Sequence, residues 1–215
     1  LINSLIKTIK PKYGFELYIQ SDYPIGTGLG GSATVLSSIL GCFNELRIDK
    51  WNSYEVAEIA FEAERLCMNI SGGWQDQYAT VFGGFNFMEF NNEENIIHPL
   101  KITNQNIANL EENLVLCYTN TSHESGEILS NQKKNISKMD IEAIVKKNVA
   151  LTYKIKNALL KGPNKSFGLL LDKAWNYKKK LSKHITNSNL DIIYKEDLEN
   201  GAIGGKLLGA GGGGY

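Results

Sequence analysis

The run Pro24-Ile25-Gly26-Thr27-Gly28-Leu29-Gly30-Gly31-Ser32-Ala33 constrains this chain more than any other stretch. It is a glycine-dense loop that opens directly into an amphipathic segment. Glycines let main-chain N–H groups converge on an anion. The unpaired N–H groups at the start of the following helix add partial positive charge. Loop and helix together form a phosphate cradle.

The 215 residues suffice for one large domain or two small ones. With 42% hydrophobic and 21% charged residues, the composition is that of an ordinary globular protein, able to bury a core without staples. The formal net charge is zero, which gives no reason to expect a nucleic-acid or membrane-surface partner. Cys42, Cys67 and Cys117 are scattered and match no metal spacing or disulfide framework, as expected of a reducing cytoplasm. No apolar run approaches the roughly 18 residues of a membrane span, and no signal peptide is visible. The chain starts with Leu1 inside an amphipathic segment and stops at Tyr215 after a glycine run. Both ends are therefore expected to be truncation points within a longer protein.

Periodicity predicts a helix over residues 1–9, ended by Pro11, and a strand at Phe15–Ile19. Val35, Leu36, Ile39, Leu40, Phe43 and Leu46 form one stripe of a helix over 32–46. Ser53 is a plausible N-cap for a helix reaching Met68, with Val56, Ile59, Ala60, Ala63 and Cys67 on its apolar face. Gly72-Gly73 breaks that pattern, a short helix follows over 74–82, and Phe85–Phe90 suits a strand. The polar stretch Asn91–Asn95 marks an expected boundary between an N-terminal domain (1–92) and a C-terminal one (93–215). In the second domain, Leu114–Tyr118 reads as a short buried strand and Thr119–Ser125 as a polar loop. Residues 128–198 read as mostly helical, with breaks at Gly162-Pro163 and near 187–189.

Gly26-Thr27-Gly28-Leu29-Gly30-Gly31 satisfies the dinucleotide pattern G-x-G-x-x-G, but its context does not fit. That motif needs a strand running straight into the first glycine, and Ser21–Pro24 intervenes. A Walker A loop is absent, and so are the H-R-D and D-F-G segments of a protein kinase. What remains is P-x-x-x-G-L-x-x-S-A, from Pro24 to Ala33. This resembles the second motif of the GHMP kinases, the family of galactokinase, homoserine kinase and mevalonate kinase. Gly31 stands where many members have serine. Residues Lys206–Gly214 resemble the family's third, glycine-rich motif. Such a run at a chain end ordinarily reads as a flexible linker, and its order and separation from the first loop favour the motif. The resemblance implies an α+β, two-domain GHMP kinase fold with antiparallel or mixed sheets and packed helices, truncated at both ends and lacking the family's first motif.

The same resemblance implies ATP and Mg²⁺ as cofactors. The phosphates of ATP would lie on Gly26, Gly28, Leu29, Gly30, Gly31, Ser32 and Ala33. The third motif would contribute Lys206, Gly209, Ala210, Gly211, Gly212 and Gly213. Phosphoryl transfer needs an in-line γ-phosphoryl group, a metal to neutralise charge and an oriented acceptor hydroxyl. Asp76, in Gly73-Trp74-Gln75-Asp76-Gln77, resembles the family's catalytic aspartate segment; its plainer role is to stabilise a helix N-terminus. Glu64 is the candidate metal ligand with Ser32, since Mg²⁺ takes only one or two protein oxygens besides phosphates and water. Galactokinase-like sequences carry Ala-Glu-His there, so Arg65 is a departure. Glu62 reads as a solvated neighbour, and His98, His123 and His184 as surface or loop residues. Trp175, Lys178 and Lys179 form an aromatic and basic patch in a helix, with Lys178 a candidate for gripping a substrate phosphate.

Within the family the strongest resemblance is to the bacterial D-glycero-D-manno-heptose 7-phosphate kinase branch, carried by residues 28–33, 72–79, 82–86 and 204–214. It implies transfer to the anomeric hydroxyl of a phosphorylated heptose, in the making of capsule or lipopolysaccharide. Fucokinase-like and galactokinase-like sugar kinases share much of the pattern. A catalytically silent sugar and nucleotide sensor on the same fold is the alternative outside catalysis.

Overall fold

The computed structural model describes residues 1–22, 27–91, 94–121, 125–136, 139–162 and 165–215, and most of its regular structure is helical. Two units can be delimited. The first comprises Leu1–Ile25 with Gly30–Pro99, the second Gly26–Leu29 with Leu100–Tyr215.

In the first unit, α1 (Ile2–Ile9) ends at Lys10, which adopts a left-handed conformation directly before Pro11. Helix α2 (Gly31–Glu45) follows the predicted stripe, and Leu36, Ile39, Leu40 and Phe43 are buried. Leu46 lies beyond the helix and is exposed. These side chains pack against Leu5 and against Val56, Ala60 and Ala63. Helix α3 (Ser53–Phe61) is capped by Asn52 rather than by Ser53. The Asn52 side chain accepts from Glu55 N, and Glu55 Oε2 accepts from Asn52 N, a reciprocal capping box.

The helix expected to continue to Met68 changes character at Glu62. Residues Glu62–Leu66 form a π-helical turn, and Cys67 is exposed. A π turn widens the helix by one residue and re-aims the side chains within it. Here Ala63, Glu64 and Arg65 all turn inward while Glu62 stays exposed. Helix α4 (Gln75–Phe82) follows, and Phe61 stacks on Trp74 with ring centroids 3.5 Å apart.

Strands β1 (Asn86–Phe90) and β2 (Asn95–Pro99) pair antiparallel, with Met88 opposite Ile97. Buried Ile97 packs with Tyr78 and Ala57. The polar stretch expected at a domain boundary therefore links two paired strands, and Asn91 bonds Glu94 across it. The division between units falls after Pro99. Among the described residues this hairpin is the only sheet. Phe15–Ile19 is not a strand: no described strand runs beside it, and Tyr18 is 88% exposed. Phe15 is anchored instead by an edge contact with the Phe43 ring.

In the second unit, α5 (Asn104–Asn113) is capped by the Thr103 side chain. Helices α6 (Ser125–Ile136), α7 (Met139–Lys161), α8 (Lys165–Lys179) and α9 (Ser188–Glu199) fill the region expected to be helical. Gly162 ends α7 with a positive φ, and the break near 187 is the Asn187 cap of α9. Ile128, Trp175, Ile185, Leu190, Leu207 and Ala210 form the core of this unit. Leu114–Tyr118 is neither a strand nor buried: Val115 is 91% exposed. Apolar composition alone did not bury it, because no described strand offers its backbone a ladder. No described helix is long and apolar enough to cross a membrane.

The capping box yields a direct test. Asn52→Ala should cost about 1 kcal/mol of stability in urea unfolding, whereas Asn52→Asp, which keeps the acceptor, should cost far less.

Candidate functional site

In the first unit the site is built at the N-terminus of α2. Gly30 is its N-cap, with φ of 73°, and Gly31, Ser32 and Ala33 make up its first turn. The N–H groups of that turn have no partners within the helix. A left-handed N-cap carries no side-chain acceptor to cover them, and Gly30 fits there because it has no Cβ. Ser32 does not cap the helix. Its hydroxyl donates to Glu64 Oε1.

Glu64 is 3% exposed, a depth at which a carboxylate needs partners. It has three: the Ser32 hydroxyl, the Gln77 side-chain amide at Oε2, and Arg65 Nη2 at 3.6 Å from Oε1. Gln77 is fully buried on α4. Arg65 Nη2 also lies 3.6 Å from Asp76 Oδ2. Asp76 sits in the first turn of α4, about a third exposed, and Gln75 donates to its other oxygen. A Cβ on Gly30 would lie 3.9 Å from Asp76 Cβ, so the loop backbone runs close beside the aspartate. Ser37 and Thr80 tie α2 to α4 with a 2.8 Å hydrogen bond between their hydroxyls.

The donor set suits a hard divalent cation. Glu64 and Ser32 supply a carboxylate and a hydroxyl, and Gln77 Oε1 is a buried acceptor with no partner. No described group of three or more His, Cys, Asp or Glu side chains is placed to hold a metal. Any cation there would have to complete its shell with phosphate and water. His98 pairs with Glu89 on the surface of the hairpin, and His184 is exposed. His123, Gly26 and the preceding Pro24-Ile25 lie outside the described residues.

In the second unit, Thr27–Leu29 meets the closing glycine motif. Tyr215 N donates to Thr27 O and Leu208 N to Tyr215 O. Gly209 has φ of 60°, and a Cβ there would approach Gly28 Cα to 3.0 Å. At Gly214 an added Cβ would meet the Thr27 carbonyl. Thr119 donates to Gly214 O through both its N–H and its hydroxyl, and Gly214 N donates to Thr121 O. Gly212 N donates to Ile185 O and the Gln132 side chain to Ala210 O. Residues 206–215 are therefore a packed loop, not a linker.

Lys178, on α8, donates its ammonium to Leu207 O and Gly209 O. Burial and the nearby Lys206 push its pKa down from 10.5 to about 7. Lys206 is lowered as well, by burial. The lysine read as a substrate-phosphate contact is thus engaged with the back of the glycine loop.

Sequence reasoning had not named Gln77, Thr27 or Thr119 for these roles. Gln77 carried a signal, as an amide beside Asp76 on a short helix. Thr27 and Thr119 act through hydrogen bonds whose partners lie far along the chain.

A pH experiment tests the Lys178 environment. Between about 7 and 10.5 the folded lysine is neutral and the unfolded one charged, so unfolding takes up a proton. Stability relative to Lys178→Met should rise with pH across that window and level off below about 7. Paired denaturation curves would read it.

The description "GHMP kinases N terminal domain" matches residues 1–84. A D-glycero-alpha-D-manno-heptose 7-phosphate kinase from Campylobacter jejuni is 39% identical over 100% of this chain and 64% of its own. An L-fucokinase/L-fucose-1-P guanylyltransferase from Bacteroides fragilis is 26% identical over 94% of this chain and 22% of its own. The crystal structure of a D-glycero-D-manno-heptose 1-phosphate kinase from Bacteroides thetaiotaomicron superposes with a TM-score of 0.65 at 32% identity, covering 97% of this chain and 59% of that one. The chain thus spans under two thirds of the length of these relatives. Residues 1–84 thus match a GHMP kinase N-terminal domain, and the whole length of the chain aligns at 39% identity with a heptose 7-phosphate kinase.

Proposed function

We propose that this chain is part of an ATP-dependent sugar kinase whose acceptor is a phosphorylated heptose. The observation that carries the reading is the buried Glu64, tied to Ser32 at the N-terminus of α2 and linked through Arg65 to Asp76. A helix N-terminus with no side-chain cap among the described residues, beside two carboxylates, is the equipment that phosphoryl transfer requires: dipoles for the phosphates, oxygen for a metal and an acceptor for a proton.

In this reading the N–H groups of Gly30–Ala33 receive the phosphates of ATP. Ser32 and Glu64 hold Mg²⁺, with Gln77 Oε1 as a neighbouring oxygen. A cation held there would neutralise charge on the transferring phosphates. Asp76 accepts the proton of the acceptor hydroxyl as that oxygen bonds to the γ-phosphorus. The bond from that phosphorus to the β-bridging oxygen breaks, ADP leaves, and the proton passes from Asp76 to water. The third motif braces Thr27 and Gly28 through Gly209, with Gly214 and Tyr215 following it.

The choice of heptose rests on relatives at 39% and 32% identity whose names state heptose phosphate substrates. Lys206, with Lys178 behind the loop, is the candidate for the acceptor's phosphate; a role in capsule or lipopolysaccharide precursor supply and a cytoplasmic setting follow from that acceptor. The fucokinase reading is supported by the relative at 26% identity and by the same glycine loops.

ADP release by the full-length protein, measured across heptose phosphates, free fucose and free galactose, tests the assignment. The expected result is turnover with a heptose phosphate that exceeds turnover with either free sugar. Sugar binding without turnover would favour the sensor. Asp76→Asn should lower kcat by about 10²–10⁴ with little change in KM. Near-normal turnover in that variant would remove Asp76 from the base role. Glu64→Gln should raise the Mg²⁺ concentration needed for half-maximal rate.

A further inference from the structure

The guanidinium of Arg65 lies between Glu64 and Asp76 but takes no part in the chemical steps above. It is 9% exposed. A single nitrogen, Nη2, lies 3.6 Å from Glu64 Oε1 and 3.6 Å from Asp76 Oδ2. Both separations exceed a normal hydrogen bond, and Nε is buried with no partner. Hydrogen bonds therefore do not fix this side chain. Charge and packing do.

The packing surface is Gly72. A Cβ at that position would lie 2.5 Å from Arg65 Cζ, 2.6 Å from Nε and 2.8 Å from Nη1. No side chain fits there without moving the guanidinium. The chain returns to this point because Ile70 N donates to Arg65 O, closing the turn after the π-helical residues. The other described acids of the same helical stretch face elsewhere. Glu62 is exposed, and Glu58 lies at the Tyr78 hydroxyl.

We infer that Arg65 is a positioning residue that sets the distance between the Glu64 and Asp76 carboxylates, and that Gly72 is the seat that holds it there. One cation between two carboxylates cancels their mutual repulsion. Without it, two like charges share a cleft with nothing to define their spacing. The more exposed of the two, Asp76, would swing out. The inference rests on the reading of Asp76 as the base and adds to it the group that aims the base.

The test uses the full-length protein and steady-state kinetics. Arg65→Met keeps length and packing but removes the charge. Its kcat should fall about 10- to 100-fold, the usual range for losing a group that orients a site residue. KM for ATP and for the sugar should stay within about threefold, because binding contacts are untouched. Arg65→Lys keeps the charge and should recover part of the loss. Gly72→Ala keeps every charge but displaces the guanidinium, and it should lower kcat in the same direction. The double variant Arg65→Met with Gly72→Ala should have a kcat no lower than Arg65→Met alone, since no guanidinium is then left to displace.

A purely structural role predicts a different pattern: lower melting temperature and less active protein, with kcat per folded molecule unchanged. That result overturns the inference. So does a kcat loss that multiplies across the two sites. If Arg65→Met folds poorly, Gly72→Ala decides by itself, and an unchanged kcat there refutes the proposal. Normal kcat in Arg65→Met alongside an inactive Asp76→Asn would remove the Arg65 role and leave the base intact. Normal kcat in Asp76→Asn would remove both.

Discussion

The first unit is organised around one buried carboxylate. Glu64 has almost no access to water, so its charge must be met by protein groups. Ser32 from α2, Gln77 from α4 and Arg65 from its own turn meet it. Those contacts fix where α2 begins relative to α4, and therefore where the N–H groups of its first turn stand relative to Asp76. Desolvation of a single oxyanion thus ties the N-terminus of α2 to Asp76.

The π-helical turn makes this possible. In an uninterrupted α-helix the apolar face of α3 would simply have continued toward Cys67. The extra residue brings Glu64 and Arg65 inward together with Ala63, and Cys67 is exposed. Such a turn costs backbone regularity and is tolerated where side-chain partners compensate. Gly72 then supplies the empty volume that the guanidinium occupies. A helix irregularity, an absent side chain and a bridging cation are parts of one arrangement.

The second unit solves a different problem. A stretch with glycine at 209 and at 211–214 has no side chains with which to hold itself in place. Its backbone is held by donors and acceptors from elsewhere: Thr119 and Thr121, Ile185, Gln132 and Lys178. Glycine is required where this loop and Thr27–Gly28 approach within van der Waals distance. The same lack of Cβ atoms that makes such a sequence read as a linker permits backbone to pack on backbone.

Local chemistry determined much from the sequence alone. The apolar stripes of α2 and α3, the glycine stop after α4 and the strand at 86–90 all follow from residue types at short spacing. So did the family resemblance, because its motifs are local runs of glycine, serine and aspartate. Tertiary structure decided what depends on distant partners. Phe15–Ile19 and Leu114–Tyr118 have strand-like composition, but a strand exists only where another supplies its hydrogen bonds. The π turn, the reach of Arg65 to Asp76 and the commitment of Lys178 to loop carbonyls were equally invisible. Each is set by which groups are left to share a buried volume once the helices have packed, and no window of sequence contains that information.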